Sequence, residues 1–109
     1  MSVWLNFDYM STGEKIDEKE VNLIMEKTHL DKSIAENIVK VGAKLRNQYK
    51  TGDLPYAPSI GDLLNWARLI SDGSTIEEAG EETIIGVTSD DSEVQELVRK
   101  IIHSTFRTI

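Results

Sequence analysis

The chain has 109 residues and a mass of 12.3 kDa, which is the size of one domain, and its 39% hydrophobic and 28% charged residues are typical of a folded globular protein. The absence of cysteine excludes disulfides, thiolate nucleophiles and cysteine-bound zinc, and the net charge of −7 disfavours nucleic-acid binding by phosphate neutralisation. With no run near the ~20 apolar residues of a membrane span and no secretory leader, we expect a cytoplasmic domain that binds neither nucleic acid nor membrane.

The N-terminal residues differ in pattern from the rest of the chain. Residues 4–10 alternate loosely between apolar and polar and are rich in aromatic side chains, which is typical of a short extended segment. No partner strand for it is evident in the sequence. We therefore expect residues 1–16 to be an extended segment leaving a part of the protein that precedes this chain, and residues 17–109 to form one helical domain.

Two helices are predicted between residues 17 and 50. Asp17 is the expected N-cap of the first, with Glu20 three residues later as in a capping box, and this helix should end near Thr28. The second and longest helix opens at Asp31. Apolar side chains recur along it at three- and four-residue spacing, namely Ile34, Ile38, Val41, Leu45 and Tyr49. The sequence Thr51-Gly52-Asp53 should end it, and the prolines within residues 54–58 predict an extended connector.

The third predicted helix is the most apolar. Ser59 and Asp62 form a second capping pair, and we expect the helix to end at Asp72-Gly73. Its apolar positions are Leu63, Leu64, Trp66, Ala67 and Ile70. At this spacing Trp66 is expected in the core, and stacking on a nucleobase or ring is the less favoured interpretation.

Two further helices complete the prediction. Ser74 with Glu77 should start the fourth, which is expected to fray near Gly86 because Gly80 and the β-branched residues 83–85 weaken it by about 1 kcal/mol. The fifth opens at residues that supply oxygen acceptors and negative charge, namely Ser89, Asp90, Asp91 and Glu93. It is expected to bury Val94, Leu97, Val98, Ile101 and Ile102, and it carries Lys100, His103 and Arg107 toward its other end. The predicted fold class is all-α, a small bundle of about five helices preceded by a short extended segment.

No sequence motif in the chain identifies a catalysed reaction. The sequence lacks GxxxxGK[ST], GxGxxG, GxSxG and HExxH, so the corresponding phosphate, nucleophile and zinc motifs are not present. Helix capping is favoured over a cation site at Asp90, Asp91 and Glu93, and a surface or capping role over metal binding for His29 and His103. The acidic run Glu77, Glu78, Glu81 and Glu82 is either a solvated face or a surface for a basic partner.

Several segments together resemble a known family. They are Pro58-Ser59-Ile60-Gly61-Asp62-Leu63-Leu64-Asn65-Trp66-Ala67-Arg68-Leu69-Ile70, the following Asp72-Gly73 and Ala79, Val87-Thr88-Ser89-Asp90-Asp91, Phe7-Asp8-Tyr9, and Glu26-Lys27-Thr28-His29-Leu30-Asp31. They are similar to the C-terminal region of MoxR-type AAA+ ATPases, with the CbbQ/NirQ/NorQ/GvpN set as the most similar subgroup. The resemblance covers nearly the whole chain and consists of helix-junction patterns, not catalytic signatures.

The resemblance implies a lid, the helical subdomain that follows the nucleotide-binding core and closes over ATP at a subunit boundary. The Walker motifs, sensor 1 and the arginine finger of the family precede the point where this chain begins, so we expect no catalytic residue, no bound metal and no ATP hydrolysis in this fragment alone. ATP and Mg would belong to the full-length protein. The implied partners are the upstream AAA+ core, neighbouring subunits of a hexamer and a von Willebrand factor A domain protein. Clients of relatives include nitric oxide reductase, Rubisco and gas vesicles.

One position departs from the family pattern. In relatives the third helix opens with Ser-Thr-Arg, and that arginine is sensor 2, which reaches the γ-phosphate. Alignment of Arg68-Leu69-Ile70 with the family's Arg-Leu-Ile puts Gly61 at the sensor position. Arg68 lies seven residues later, about 10 Å along the axis. The candidate nucleotide-proximal residues are therefore Ser59, Ile60, Gly61 and Arg68, and either the helix N-terminus contacts phosphate or the coupling of lid to nucleotide is weakened.

Three functions follow from these features. The first is an AAA+ lid that couples ATP binding and hydrolysis in the full-length protein to remodelling of a client complex. The second is a free-standing acidic adaptor that docks a basic partner. The third, a helix-turn-helix DNA reader, is disfavoured because the third helix carries a single cation, Arg68.

Overall fold

The computed structural model describes residues 16–106, which form five helices and no strand. Residues 1–15 of the predicted extended segment, which include Phe7-Asp8-Tyr9, and Arg107 lie outside the described residues. The helices are α1 (Glu18–Thr28), α2 (Lys32–Lys50), α3 (Ile60–Ser71), α4, which spans residues 76–88 in three stretches, and α5 (Ser92–Phe106). The all-α class is confirmed.

The first two helices begin and end where the sequence predicts. Asp17 caps α1 by accepting a hydrogen bond from Lys19 N at 2.9 Å. His29 ends α1 in the left-handed conformation, with φ of 61°, and donates its N–H to Met25 O at 2.8 Å, so its expected role as a surface or cap residue is confirmed. Tyr49 differs from the prediction, because its side chain is 51% exposed and does not extend the buried stripe of α2.

The boundary between α3 and α4 lies one residue later than predicted. Ser74 is not the cap of α4, since its N–H donates to Leu69 O at 3.0 Å and closes the end of α3 after Gly73, whose φ is 117°. Thr75 is the N-cap and forms a capping box with Glu78. The turn that closes α3 needs a residue in the left-handed conformation, which glycine adopts without strain. Ser74 is part of that turn, so the next helix can start only after it.

The helix α4 does not fray at Gly86. It runs as an α-helix over Ile76–Gly80, a π-helix over Glu81–Ile85 and an α-helical turn over Gly86–Thr88. The wide turn is closed by Gly86 N–H, which donates to Glu81 O. Because the π-turn takes one additional residue, Ile84 and Ile85 are both buried in line with Ala79 and Gly80.

One core fills the space between the helices. The helix α3 packs against α1, α2 and the first two stretches of α4, and α2 packs against α5. Trp66 is fully buried, donates its indole N–H to Ile76 O at 3.1 Å and meets the ring of Phe106 edge-on at 5.7 Å. Its predicted core position is confirmed. The other buried apolar side chains are Val21, Ile24, Ala35, Ile38, Val39, Val41, Leu45, Leu54, Leu63, Ala67, Ala79, Ile84, Ile85, Val98 and Ile102.

Candidate functional site

The start of α3 is closed by a reciprocal capping box. Ser59 Oγ accepts from Asp62 N–H at 3.3 Å, and Asp62 Oδ2 accepts from Ser59 N–H at 3.0 Å. The predicted capping pair is therefore confirmed. In the described part of the chain, the N–H groups of Ile60 and Gly61 have no hydrogen-bond acceptor, as expected for a first helical turn. Two backbone donors are thus unpaired at the position that the family resemblance implies is close to the nucleotide.

A tyrosine of the connector joins this cap. Tyr56 Oη donates to Asp62 Oδ2 at 2.7 Å, so one carboxylate oxygen receives both the phenol and the Ser59 amide. The hydrogen bond from Tyr56 to the Asp62 carboxylate raises the pKa of the phenol above its ordinary value. The negative charge of Asp62 lies at the positive end of the α3 dipole, which stabilises the helix start.

Position 61 has room for a side chain. Gly61 is exposed, and a Cβ atom built on it meets only Ser59 Oγ, at the ordinary contact distance of 3.5 Å. Its backbone is part of the helix and has no positive φ. A larger residue at this position is therefore compatible with the fold, so nothing in the packing of the described residues requires glycine here.

Arg68 lies away from the helix start. It is exposed in the last turn of α3, and its guanidinium has no ion pair or hydrogen bond with another described residue. Because α3 is continuous from Ile60 to Ser71, seven residues separate Gly61 and Arg68 by about 10 Å along one face. The structure brings Ser59, Ile60 and Gly61 together and leaves Arg68 two turns away.

An arginine on α2 contacts the residue just before this cap, which the sequence did not predict. Arg46 Nε donates to Pro58 O at 3.3 Å, and its terminal nitrogens lie 3.4 Å from the carboxylate oxygens of Glu20. Glu20, expected to return to Asp17 in a capping box, pairs with Arg46 instead. Arg46 and Glu20 are 26 positions apart in the chain, and a single sequence contains no pattern that predicts such a contact.

The acidic run on α4 is used largely within the chain. Glu77 Oε2 lies 2.9 Å from His103 Nε2, Glu78 completes the capping box with Thr75, and Glu81 accepts from two nitrogens of Arg99. The Arg99 hydrogen bonds lower the pKa of the Glu81 carboxyl. Glu77 and Glu81 thus join the N-terminal half of α4 to α5, whereas Glu78 caps α4 itself.

The acidic start of α5 is a helix cap. Asp91 Oδ1 accepts from Glu93 N–H at 2.8 Å, and Asp91 N–H donates to Ser89 Oγ at 2.9 Å, which confirms the capping interpretation. Among the described residues, no group of three or more histidine, aspartate or glutamate side chains is placed to hold a metal ion.

Two depressions of the described surface lie along α5. One, of about 300 Å³, is lined by Thr75, Ile76, Glu77, Ile102, His103 and Phe106. The other, of about 680 Å³, is lined by Glu96, Arg99, Lys100, His103 and Ser104. Neither includes Ser59, Ile60, Gly61 or Arg68, so the start of α3 is an exposed edge and not the wall of either depression.

A search of the described residues for membrane spans finds no helix with the length and apolar character to cross a bilayer.

Comparison with known proteins gives one clear result. A family model described as CbbQ/NirQ/NorQ C-terminal matches residues 20–105, most of the chain. A search of curated proteins finds no match. The matched range begins inside α1 and ends inside α5, so it contains all of α2, α3 and α4 together with the capped start of α3.

Proposed function

Because the chain belongs to the CbbQ/NirQ/NorQ C-terminal family, the C-terminal domain of a group of AAA+ ATPases, we propose that it acts as the lid that closes over ATP. The α3 start is the nucleotide-proximal edge in this proposal. The observation that supports it is the pair of outward N–H groups of Ile60 and Gly61 at a capped helix N-terminus, a geometry that favours an anion.

The chain's own contribution to nucleotide binding is small in this proposal. Ile60 and Gly61 offer two backbone donors, Gly61 offers no side-chain cation, and the Asp62 carboxylate lies next to them. ATP and Mg would be held mainly by the upstream AAA+ core. The lid then acts mechanically, since packed helices move as rigid bodies between discrete arrangements.

The proposal also covers the assembly. The helical bundle would transmit the rotation of α3 to the neighbouring subunit of a cytoplasmic hexamer, and through it to a client enzyme complex of the nitric oxide reductase or Rubisco type. A von Willebrand factor A domain protein is a further proposed partner. The acidic adaptor has less support, because three of the four carboxylates of the α4 run bind groups of this chain.

Two opposite substitutions at position 61 test the lid proposal. In the protein in which an AAA+ core precedes this chain, Gly61→Arg places a cation and Gly61→Glu an anion at the same exposed site, where a side chain fits. A charge-assisted hydrogen bond to phosphate should lower KM for ATP by about threefold to tenfold, and the carboxylate should raise it by a similar factor.

The matched control is Gly61→Gln, which adds a side chain of similar length without charge and should leave KM near that of the parent protein. Steady-state ATPase kinetics at fixed salt measure all three variants. Equal KM values for the arginine and glutamate variants would show that the start of α3 does not approach the nucleotide.

A further inference from the structure

Arg46 joins three elements at one point of the structure. It projects from α2, donates through Nε to Pro58 O of the connector at 3.3 Å, and reaches both carboxylate oxygens of Glu20 on α1 at 3.4 Å. Pro58 is the residue immediately before Ser59, the N-cap of α3. The guanidinium therefore ties the entry to α3 to the pair of helices α1 and α2.

The connector is anchored at its two ends. Leu54 is 3% exposed and Pro58 is less than 2% exposed, whereas Pro55 and Tyr56 between them are exposed. Pro58 fixes its own φ but has no N–H, so its carbonyl is the group through which it can be hydrogen-bonded. The bond from Arg46 uses that carbonyl, and it sets the direction in which the chain enters α3.

The Arg46 contacts are shielded in part from water. The Arg46 side chain is 33% exposed and the Glu20 side chain 19% exposed. A planar guanidinium can direct one donor to a carbonyl and two to a carboxylate at once, which a lysine ammonium cannot do in this geometry. Among the described residues Arg99 also forms ion pairs, with Glu81 of α4 and with Glu96 of α5, and neither pair includes a residue of α3.

We propose that Arg46 is a positioning residue that holds the start of α3 in the orientation competent to close over the nucleotide, with Glu20 as its anchor. This inference rests on the lid function proposed above. Loss of the guanidinium leaves α3 folded, because its capping box and buried face are intact. It allows the helix start to sample other orientations relative to α1 and α2.

The predicted kinetic consequence separates positioning from a general structural role. If α3 has the competent orientation in only a fraction of the molecules, the apparent affinity for ATP is reduced to that fraction of its full value. Saturating ATP selects the competent state, so the rate at saturation changes little. In the protein that carries the AAA+ core, Arg46→Gln should therefore raise KM for ATP by about threefold to tenfold and change kcat by less than about twofold.

Two further variants complete the design. Arg99→Gln removes arginine ion pairs that include no residue of α3 or of the connector and should leave KM unchanged. Glu20→Gln keeps the contact of Arg46 with Pro58 and should raise KM by less than Arg46→Gln does. Hydrogen exchange of the peptide covering residues 59–70 should accelerate in Arg46→Gln and not in Arg99→Gln.

The outcomes distinguish this inference from the lid function. Unchanged KM in Arg46→Gln, or equal increases in Arg46→Gln and Arg99→Gln, overturns the positioning role if Gly61→Glu still raises KM. If Gly61→Glu also leaves KM unchanged, the lid function itself fails. A proportional fall of kcat in Arg46→Gln with constant KM would likewise contradict the inference.

Discussion

Gly42 sets how closely α2 and α3 approach each other. A Cβ built on it lies 2.8 Å from Leu63 Cδ1 and 3.4 Å from Leu63 Cδ2, and Leu63 is fully buried. Leu63 belongs to the buried core cluster, and in a closely packed interior a shift of its methyl groups displaces other side chains. At this position the absence of a side chain is a packing requirement and not a need for an unusual φ.

Gly42→Ala should lower the free energy of unfolding by about 1 kcal/mol. Overpacking costs about 1–3 kcal/mol, and the higher helix propensity of alanine offsets up to about 1 kcal/mol of it. Urea denaturation measures the difference. Gly61→Ala is the matched control, since it gains propensity on an exposed helix start with no clash and should cause no loss. A Gly42→Ala protein as stable as the parent would contradict the close approach.

At the scale of the element, α4 carries the feature that distinguishes this bundle from a set of regular helices. Its π-turn over Glu81–Ile85 places five residues where an α-helical turn places about four. The pairs Ala79 with Ile84 and Gly80 with Ile85 are therefore buried at a spacing of five. Regular spacing from Ala79 and Gly80 would rotate Ile85 away from the core.

Deletion of Glu82 tests this interpretation of α4. Glu82 is exposed inside the π-turn, and its removal restores an α-helical spacing of four between the same buried pairs. We expect the shortened protein to fold, with an unfolding free energy within about 1 kcal/mol of the parent. The reason is that the residues on both sides of the deletion keep the same sides of the helix turned toward the core.

Deletion of Glu96 from α5 is the control for that experiment. Glu96 is also exposed, but α5 has no π-turn to absorb the loss, so the residues on either side rotate by about 100° relative to each other. Circular dichroism with urea denaturation should show a loss of several kcal/mol, as expected when a buried face is displaced. Equal damage from the two deletions would contradict the role of the π-turn.

The helices differ in how far the sequence predicted them. Local signals predicted the boundaries of α1, α2 and α3, because each acts within a few residues of the boundary. Asp17 and Ser59 cap the starts of α1 and α3, and Gly52 and Gly73 follow the ends of α2 and α3. The prediction was wrong for α4, where it missed the π-turn. This turn depends on burying Ile84 and Ile85 together, which is a tertiary effect. The candidate site followed the same rule: the α3 cap was predicted, and Arg46 was not.

Over the whole molecule, charge is distributed unevenly along the chain. Every charged residue from position 69 to position 98 is acidic, and the net charge is −7. This acidic region covers the end of α3, all of α4 and the first half of α5. An anionic ligand is therefore repelled by the molecule as a whole, apart from local donors such as the Ile60 and Gly61 N–H groups.

The isolated chain should accordingly bind ATP with a Kd weaker than about 1 mM, a free energy of no more than about 4 kcal/mol. Its donors at the α3 start are two backbone N–H groups beside the Asp62 carboxylate, and ATP is itself strongly anionic. Isothermal titration calorimetry of the chain alone should show no saturable heat, while the chain fused behind the AAA+ core that we propose precedes it should bind. Micromolar binding by the chain alone would mean that it contains a nucleotide site of its own, and the division of labour between core and lid would be wrong.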